Sequence, residues 1–272
     1  MLLAHKGNFD TKISTDYHHK GLEIKKFHDE YYVPFHHEMY NIDFSNPSMD
    51  DFKKTCKLFN VYYARLKEFI EKHGISSQSK LESTLLEQLS VYLFKDIPEI
   101  KSGRLDIYNK GVYAGLKIAP NLSLDIIKKD VDFCIGKKVT MKIENQSPIV
   151  LTIPIVSVEV KTYLDATMFG EIKSSSKTLK SATPNSRAYV LMGYKCIADE
   201  HILAARQDST LDEIFVLRAG EGQPVDPYAL YLYYEEITGA IKTITSHSNI
   251  TVPGRLLTYN DMWQQLKNEK YN

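Results

Sequence analysis

Between Ile153 and Asp165 the chain reads IPIVSVEVKTYLD. Val156, Val158 and Val160 alternate with Ser157, Glu159 and Lys161, a period of two that fits an extended strand. Such a strand turns its valines to a core and carries Glu159 and Lys161 together on its other side. Alone, a carboxylate and an ammonium on one strand face are usually a surface ion pair. A second segment of similar construction gives this pair more weight. Lys128 to Ile135 (KKDVDFCI) reads as a strand with Val131, Phe133 and Ile135 on one face and Asp130 and Asp132 on the other. Gly136-Lys137-Lys138 follows, then an alternating run through Val139, Met141 and Ile143, and the turn-like ENQSP from Glu144 to Pro148. The natural arrangement is an antiparallel meander that brings an aspartate beside Glu159 and Lys161. After Asp165 the period changes. Met168, Phe169, Ile172 and Leu179 recur at near-helical spacing, Asp165 suits an N-cap, and Pro184 closes the segment. Another apolar strand, Ala188 to Met192, comes next.

The order strand, strand, strand, helix, strand with a D…ExK set on the strands resembles the core of the PD-(D/E)xK nucleases. The longer string EVKTYLDATMF, with KKDVDF upstream, resembles the type II restriction endonucleases of the BbvCI and DdeI group. The core motif is short and often matches by chance; its extension through Thr162, Tyr163, Leu164, Asp165, Thr167, Met168 and Phe169 is more specific. The resemblance spans about residues 80 to 195. It implies an α/β fold, a restriction-endonuclease-like core in which a central mixed β-sheet is flanked by helices, with a helical N-terminal portion. A division follows: residues 1–75 as a mainly helical region for DNA binding or dimerisation, and 76–272 as the catalytic domain with recognition elements towards its C-terminus.

Phosphodiester hydrolysis needs an activated water and a stabilised, highly charged transition state, and a divalent cation supplies both. The resemblance implies Mg2+, with Mn2+ as a substitute, held by Asp132, Glu159 and the backbone carbonyl of Val160. Lys161 would orient or help deprotonate the attacking water and face the developing charge. Asp130 shares a strand face with Asp132, so alternation cannot choose between them; Asp132, preceding the apolar FCI, fits the family pattern better. Val131 stands where the motif has proline, at little cost, since that proline carries no chemistry. A helix ahead of the meander often supplies a further acid. Ser76 to Phe94 reads as that helix and offers Glu82 and Glu87, of which the run TLLEQLSVYLF favours Glu87.

Cutting both strands of double-stranded DNA takes two active sites. The resemblance therefore implies a homodimer on a palindrome, or a heterodimer with a related subunit on an asymmetric site, and in either case suggests a recognition site with a CTNAG-like core. A cognate DNA methyltransferase would be the functional companion. Two rival readings remain: another nuclease with this core, for repair or for structured DNA, and a non-catalytic DNA-binding or interaction subunit. The intact D…ExK set argues against the last.

Charge gives nucleic-acid binding no support, with 34 basic and 34 acidic side chains. A basic cleft offset by acidic surfaces is compatible with that balance. Three widely spaced cysteines (Cys56, Cys134, Cys196) suit reduced thiols in a cytoplasmic protein, and the resemblance implies that the cytoplasm is bacterial. No signal-peptide-like or membrane-length apolar run is present, so no membrane association is expected. Seven of the nine histidines fall within the first 73 residues, without metal-ligand spacing, and read as exposed or DNA-facing. Ser48 to His73 reads as an amphipathic helix ending at Gly74, and Pro224 to Ile244 as a tyrosine-rich one. Between Ile100 and Leu124 a loop and a strand are expected, and Ile214 to Leu217 reads as a strand. Lys128 and Lys129 are candidates for phosphate contacts, and Arg218, Gln223, Asn249 and Arg255 for base contacts.

Overall fold

The structure, a computed structural model, describes residues 3–120, 123–142, 147–207 and 210–245. The chain begins with three helices, α1 (Ala4–Ser14), α2 (Gly21–Phe27) and α3 (Val33–Tyr40), the last two joined by a π-turn at His28–Tyr32. The long α4 (Met49–Lys72) starts at Ser48, whose N–H donates to Asp51 Oδ2 at 2.8 Å. It buries Phe52, Cys56, Phe59, Tyr62, Leu66 and Phe69, the stripe its spacing predicts, and stops before Gly74, which has a positive φ of 55°.

The next helix, α5 (Leu81–Phe94), begins later than the sequence suggests. A 3-10 turn (Ser77–Ser79) and Lys80, with φ of 58°, take up the first residues, and a left-handed lysine cannot continue an α-helix. α5 is buried on nearly all sides, and after it come the short α6 (Pro98–Lys101) and the sheet.

Seven strands form that sheet: β1 (Asp106–Tyr108), β2 (Val112–Ile118), β3 (Leu124–Lys129), β4 (Phe133–Met141), β5 (Ile149–Leu164), β6 (Arg187–Lys195) and β7 (Glu213–Val216). β5 is the axis. β4 lies antiparallel along one edge of it, with β1 beyond. On the other edge its first half meets β2, which carries β3, and its second half runs parallel to β6, which carries β7. The crossover from β5 to β6 is α7 (Ala166–Ala182), capped by Asp165, whose Oδ1 accepts the Met168 N–H at 2.8 Å. α8 (Asp199–Gln207) and α9 (Pro227–Thr245) complete the described chain.

Two expectations need correction. Lys128 to Ile135 is not one strand: β3 ends at Lys129 and β4 begins at Phe133, because β3 pairs with β2 while β4 pairs with β5. Nor does Gly136-Lys137-Lys138 separate the run through Ile135 from the alternating run that starts at Val139. β4 runs straight through it, with an irregularity against β5 between Ile135 and Gly136. Glycine is required there because an added Cβ would overlap the Ile153 carbonyl oxygen and crowd Pro154. Pro154 sits at this same irregularity, where its missing N–H is tolerated. The segment from Ile100 to Leu124 holds β1 as well as β2. Ile143 and the start of the ENQSP turn lie outside the described residues.

One buried apolar cluster runs from Phe9 to Ile241, so the helices before residue 75 and the sheet share a core. Phe94 of α5 stacks on Tyr234 of α9 at 5.7 Å between ring centroids, and the Tyr234 hydroxyl donates to the Phe44 carbonyl. A smaller cluster joins Phe169 and Ile172 of α7 to Leu164, Val190 and Met192.

The expectation of exposed histidines holds for His18, His19 and His37, whereas His28, His36 and His73 are half-buried and His5 is fully buried. His5 pins α1 between α4 and α5, its ring nitrogens 2.9 Å from the Tyr62 hydroxyl and 3.1 Å from Thr84 Oγ1. Burial, with His28 nearby, pushes its pKa down from 6.5 to about 3. Between those values the unfolded chain binds a proton that the folded chain does not. Stability is therefore full above 6.5 and falls as pH drops towards 3. At pH 5 the loss is on the order of 2 kcal/mol. Urea midpoints at pH 7 and pH 5 test this: the fall in the wild type should shrink by that amount in His5→Gln. An undiminished fall would assign it to another group.

Candidate active site

Glu159 and Lys161 project from β5 on the side away from Val158 and Val160, which lie in the main core. The pairing of Phe133 with Val158 sets Asp132, at the foot of β4, alongside Glu159 and Val160. Asp132 Oδ2 accepts the Val160 N–H at 2.8 Å and the Lys161 ammonium at 3.0 Å. The same ammonium lies 3.4 Å from Glu159 Oε2. Asp130, two residues earlier, turns elsewhere: its Oδ1 accepts the Gly111 N–H at the β2 turn, 2.9 Å away. Of the two aspartates, the fold brings only Asp132 to the ExK pair.

The helix carboxylates separate in the same way. Glu87 of α5 lines a small cleft with Ala4, Val91, Tyr108, Asn109 and Asp132. Glu82 is held apart by the Tyr63 hydroxyl at 2.6 Å and by Lys67 at 3.7 Å.

Charge within this group is unbalanced. Burial raises the Glu87 pKa to about 8, aided by the Asp132 carboxylate and partly offset by Lys161. Glu87 therefore carries its proton at neutral pH. Burial and Asp132 also raise Glu159, against the pull of Lys161. Burial alone would lower the Lys161 pKa, but Asp132 and Glu159 outweigh it and hold the ammonium above its ordinary value. The raised carboxyl groups of Glu87 and Glu159, beside Asp132, form a site whose electrostatics favour added positive charge.

The oxygen-only donor set of Asp132, Glu159 and the Val160 carbonyl fits a hard divalent cation, which commonly takes one or two carboxylates and fills its shell with water and phosphate. Among the described residues no cluster of three or more His, Cys, Asp or Glu has the spacing of an all-protein metal cage. A set of two carboxylates is consistent with that finding.

A neighbour not singled out in the sequence is Ser175 of α7, whose hydroxyl donates to Glu159 Oε1 at 3.4 Å. Its signal was present: Ser175 continues the apolar stripe of Phe169, Ile172 and Leu179, where a serine is out of place. The base-contact candidates fare unevenly. Gln223 is exposed. Arg218 is only 3 % exposed and stacks on Tyr63 at 3.8 Å, so it presents no edge to a base in this conformation. Asn249 and Arg255 lie outside the described residues. Lys128 is exposed and Lys129 half-buried.

A mixed sheet with helices on its faces, and a D…ExK set where β4 and β5 pair, define a nuclease of the restriction-endonuclease fold. A family model described as Bpu10I restriction endonuclease matches residues 78–237, and the chain belongs to that family. It is a restriction endonuclease, an enzyme that cleaves DNA, and restriction endonucleases generally use divalent metal ions. Among solved structures, one titled "native BbvCI A2B2 tetramer at low resolution" matches with a TM-score of 0.69. That match covers 90% of this chain and 97% of that one at 18% identity, a likeness of fold. No curated protein sequence matches the chain. Among the described residues no helix is long and apolar enough to cross a membrane.

Proposed function

We propose that the chain is a Mg2+-dependent, site-specific type II deoxyribonuclease, or one subunit of such an enzyme, with Asp132, Glu159 and Lys161 as its catalytic residues. The observation that carries this reading is the Lys161 ammonium, 3.0 Å from Asp132 and 3.4 Å from Glu159 beside the β4–β5 pairing. Asp132, Glu159 and the Val160 carbonyl would hold the cation, which when bound lowers the pKa of water and neutralises phosphate oxygens. Lys161 orients the attacking water and faces the charge that develops on the phosphate. Its slender stem and point charge suit that task better than the broad fork of arginine. Glu87, protonated at neutral pH in the free site, positions water or joins a second cation.

Oligomerisation belongs to the same proposal. The neighbour of similar fold is titled a tetramer of two kinds of subunit, and double-strand cleavage needs paired sites. A homodimer and a pairing with a related subunit are both compatible with the chain. The helices before residue 75 would contribute to DNA binding or to that pairing, and a methyltransferase of matching specificity would protect the host DNA in a bacterial cytoplasm.

Digestion of plasmid DNA with purified protein and Mg2+, comparing the wild type with Asp132→Ala, tests the reading. Discrete fragments lost in the variant are the expected result, and nicking alone would point to one half of a two-subunit enzyme. Absence of cleavage with Mg2+ or Mn2+, with and without a related subunit, would overturn it. Glu87→Gln should lower the rate by about 10- to 100-fold if Glu87 acts through bound water or metal, measured in single-turnover assays.

A further inference from the structure

We propose that Ser175 is a positioning residue: its hydroxyl fixes the Glu159 carboxylate and so sets the affinity of the site for its divalent cation. The inference rests on the reading that Glu159 is a metal ligand.

The geometry argues for it in three ways. Ser175 lies on the buried stripe of α7, between Ile172 and Leu179, and is 6% exposed. A hydroxyl in such a place costs free energy unless it is bonded, and alanine would pack there at no such cost. Hydroxyls within a helix usually return to a carbonyl of the preceding turn. Thr178 bonds the Ser174 carbonyl and Ser181 the Lys177 carbonyl in that manner. Ser175 instead reaches across to Glu159 Oε1 at 3.4 Å.

The two oxygens of Glu159 are consequently held from different elements, Oε1 from α7 and Oε2 by Lys161 of its own strand. The α7 support is firmly placed. α7 is capped at Asp165, anchored by Phe169 and Ile172 against β6, and fixed further along by Leu179 against Val112, Ala114 and Cys134. Groups that orient a metal-binding carboxylate typically contribute 10- to 100-fold to metal affinity or activity.

The test is a titration of Mg2+ into DNA-free protein, followed by the midpoint of thermal unfolding, with the Mg2+ dependence of cleavage measured in parallel. In the wild type Mg2+ should raise the midpoint, and in Glu159→Gln it should have little effect. Ser175→Ala should need about 10- to 100-fold more Mg2+ for the same rise, and the half-saturating Mg2+ for cleavage should move with it. Ser175→Thr, which keeps the hydroxyl, should titrate close to the wild type, as should Ser176→Ala, an equally buried neighbour on the same helix. A flat response in Glu159→Gln with a wild-type response in Ser175→Ala would overturn the role of Ser175 and leave the metal site standing. Equal shifts in Ser175→Ala and Ser176→Ala would overturn it too, since helix packing would then explain both. A wild-type response in Glu159→Gln would remove the metal reading itself, and the inference with it.

Discussion

Lys161→Ala should lower the rate of DNA cleavage by about 10³-fold or more, the scale seen when a group facing developing charge is removed from a preorganised site. The expectation follows from the charge count. Lys161 is the lysine that contacts both Asp132 and Glu159 directly, and its charge also acts on Glu87. Its loss removes the group proposed to guide the attacking water and leaves carboxylates repelling one another in a partly buried cleft. Lys161→Arg should recover little, because the broader planar fork pairs the carboxylates in a different geometry and places its charge differently from the point charge of an ammonium. DNA affinity measured without metal should change far less than the rate, since the acidic residues beside Lys161 already repel phosphate. Single-turnover cleavage together with metal-free binding separates the two effects. A variant that cleaves within about tenfold of the wild type would show that Lys161 is a structural ion pair and no more.

Gly136→Ala should destabilise the fold by about 2–3 kcal/mol, and the damage should reach the active site. The atoms that an added Cβ would meet are the Ile153 carbonyl and Pro154 Cα. Both are backbone, so no side chain can rotate away and β4 must shift relative to β5. That pairing is what sets Asp132 beside Val160 and Lys161. Gly193 on β6 meets the Thr162 carbonyl of β5 in the same way, one residue beyond Lys161. Gly7, which has open space around it, is the control. Urea midpoints should fall for Gly136→Ala and Gly193→Ala and rise slightly for Gly7→Ala, since alanine favours the interior of α1 by up to about 1 kcal/mol over glycine. Wild-type midpoints in Gly136→Ala and Gly193→Ala would mean that the close approach of the strands is readily relieved.

Elements whose signal is local were legible in the chain. The α4 stripe, the Asp165 cap of α7 and the valine alternation of β5 each depend on neighbours a few residues away, and each forms where its pattern lies. The error at Lys128 to Ile135 has the opposite origin. Its alternation is real, but β3 and β4 hydrogen-bond to different partners, and no local pattern states which strand a segment will join. The delayed start of α5 turned on a left-handed Lys80, which a lysine does not announce.

The sequence by itself determined that Glu159 and Lys161 share one face of a buried strand, since strand periodicity requires it whatever surrounds them. It also determined, through the D…ExK string and the residues that follow, which family the chain resembles. Only the tertiary structure decided that Asp132 and Glu87 reach this face while Asp130 and Glu82 turn elsewhere, that Ser175 closes over Glu159, and that the N-terminal helices share the core of the sheet. Those outcomes depend on contacts between residues far apart in the chain. The free energy of such contacts comes from burial and pairing that no single segment carries alone.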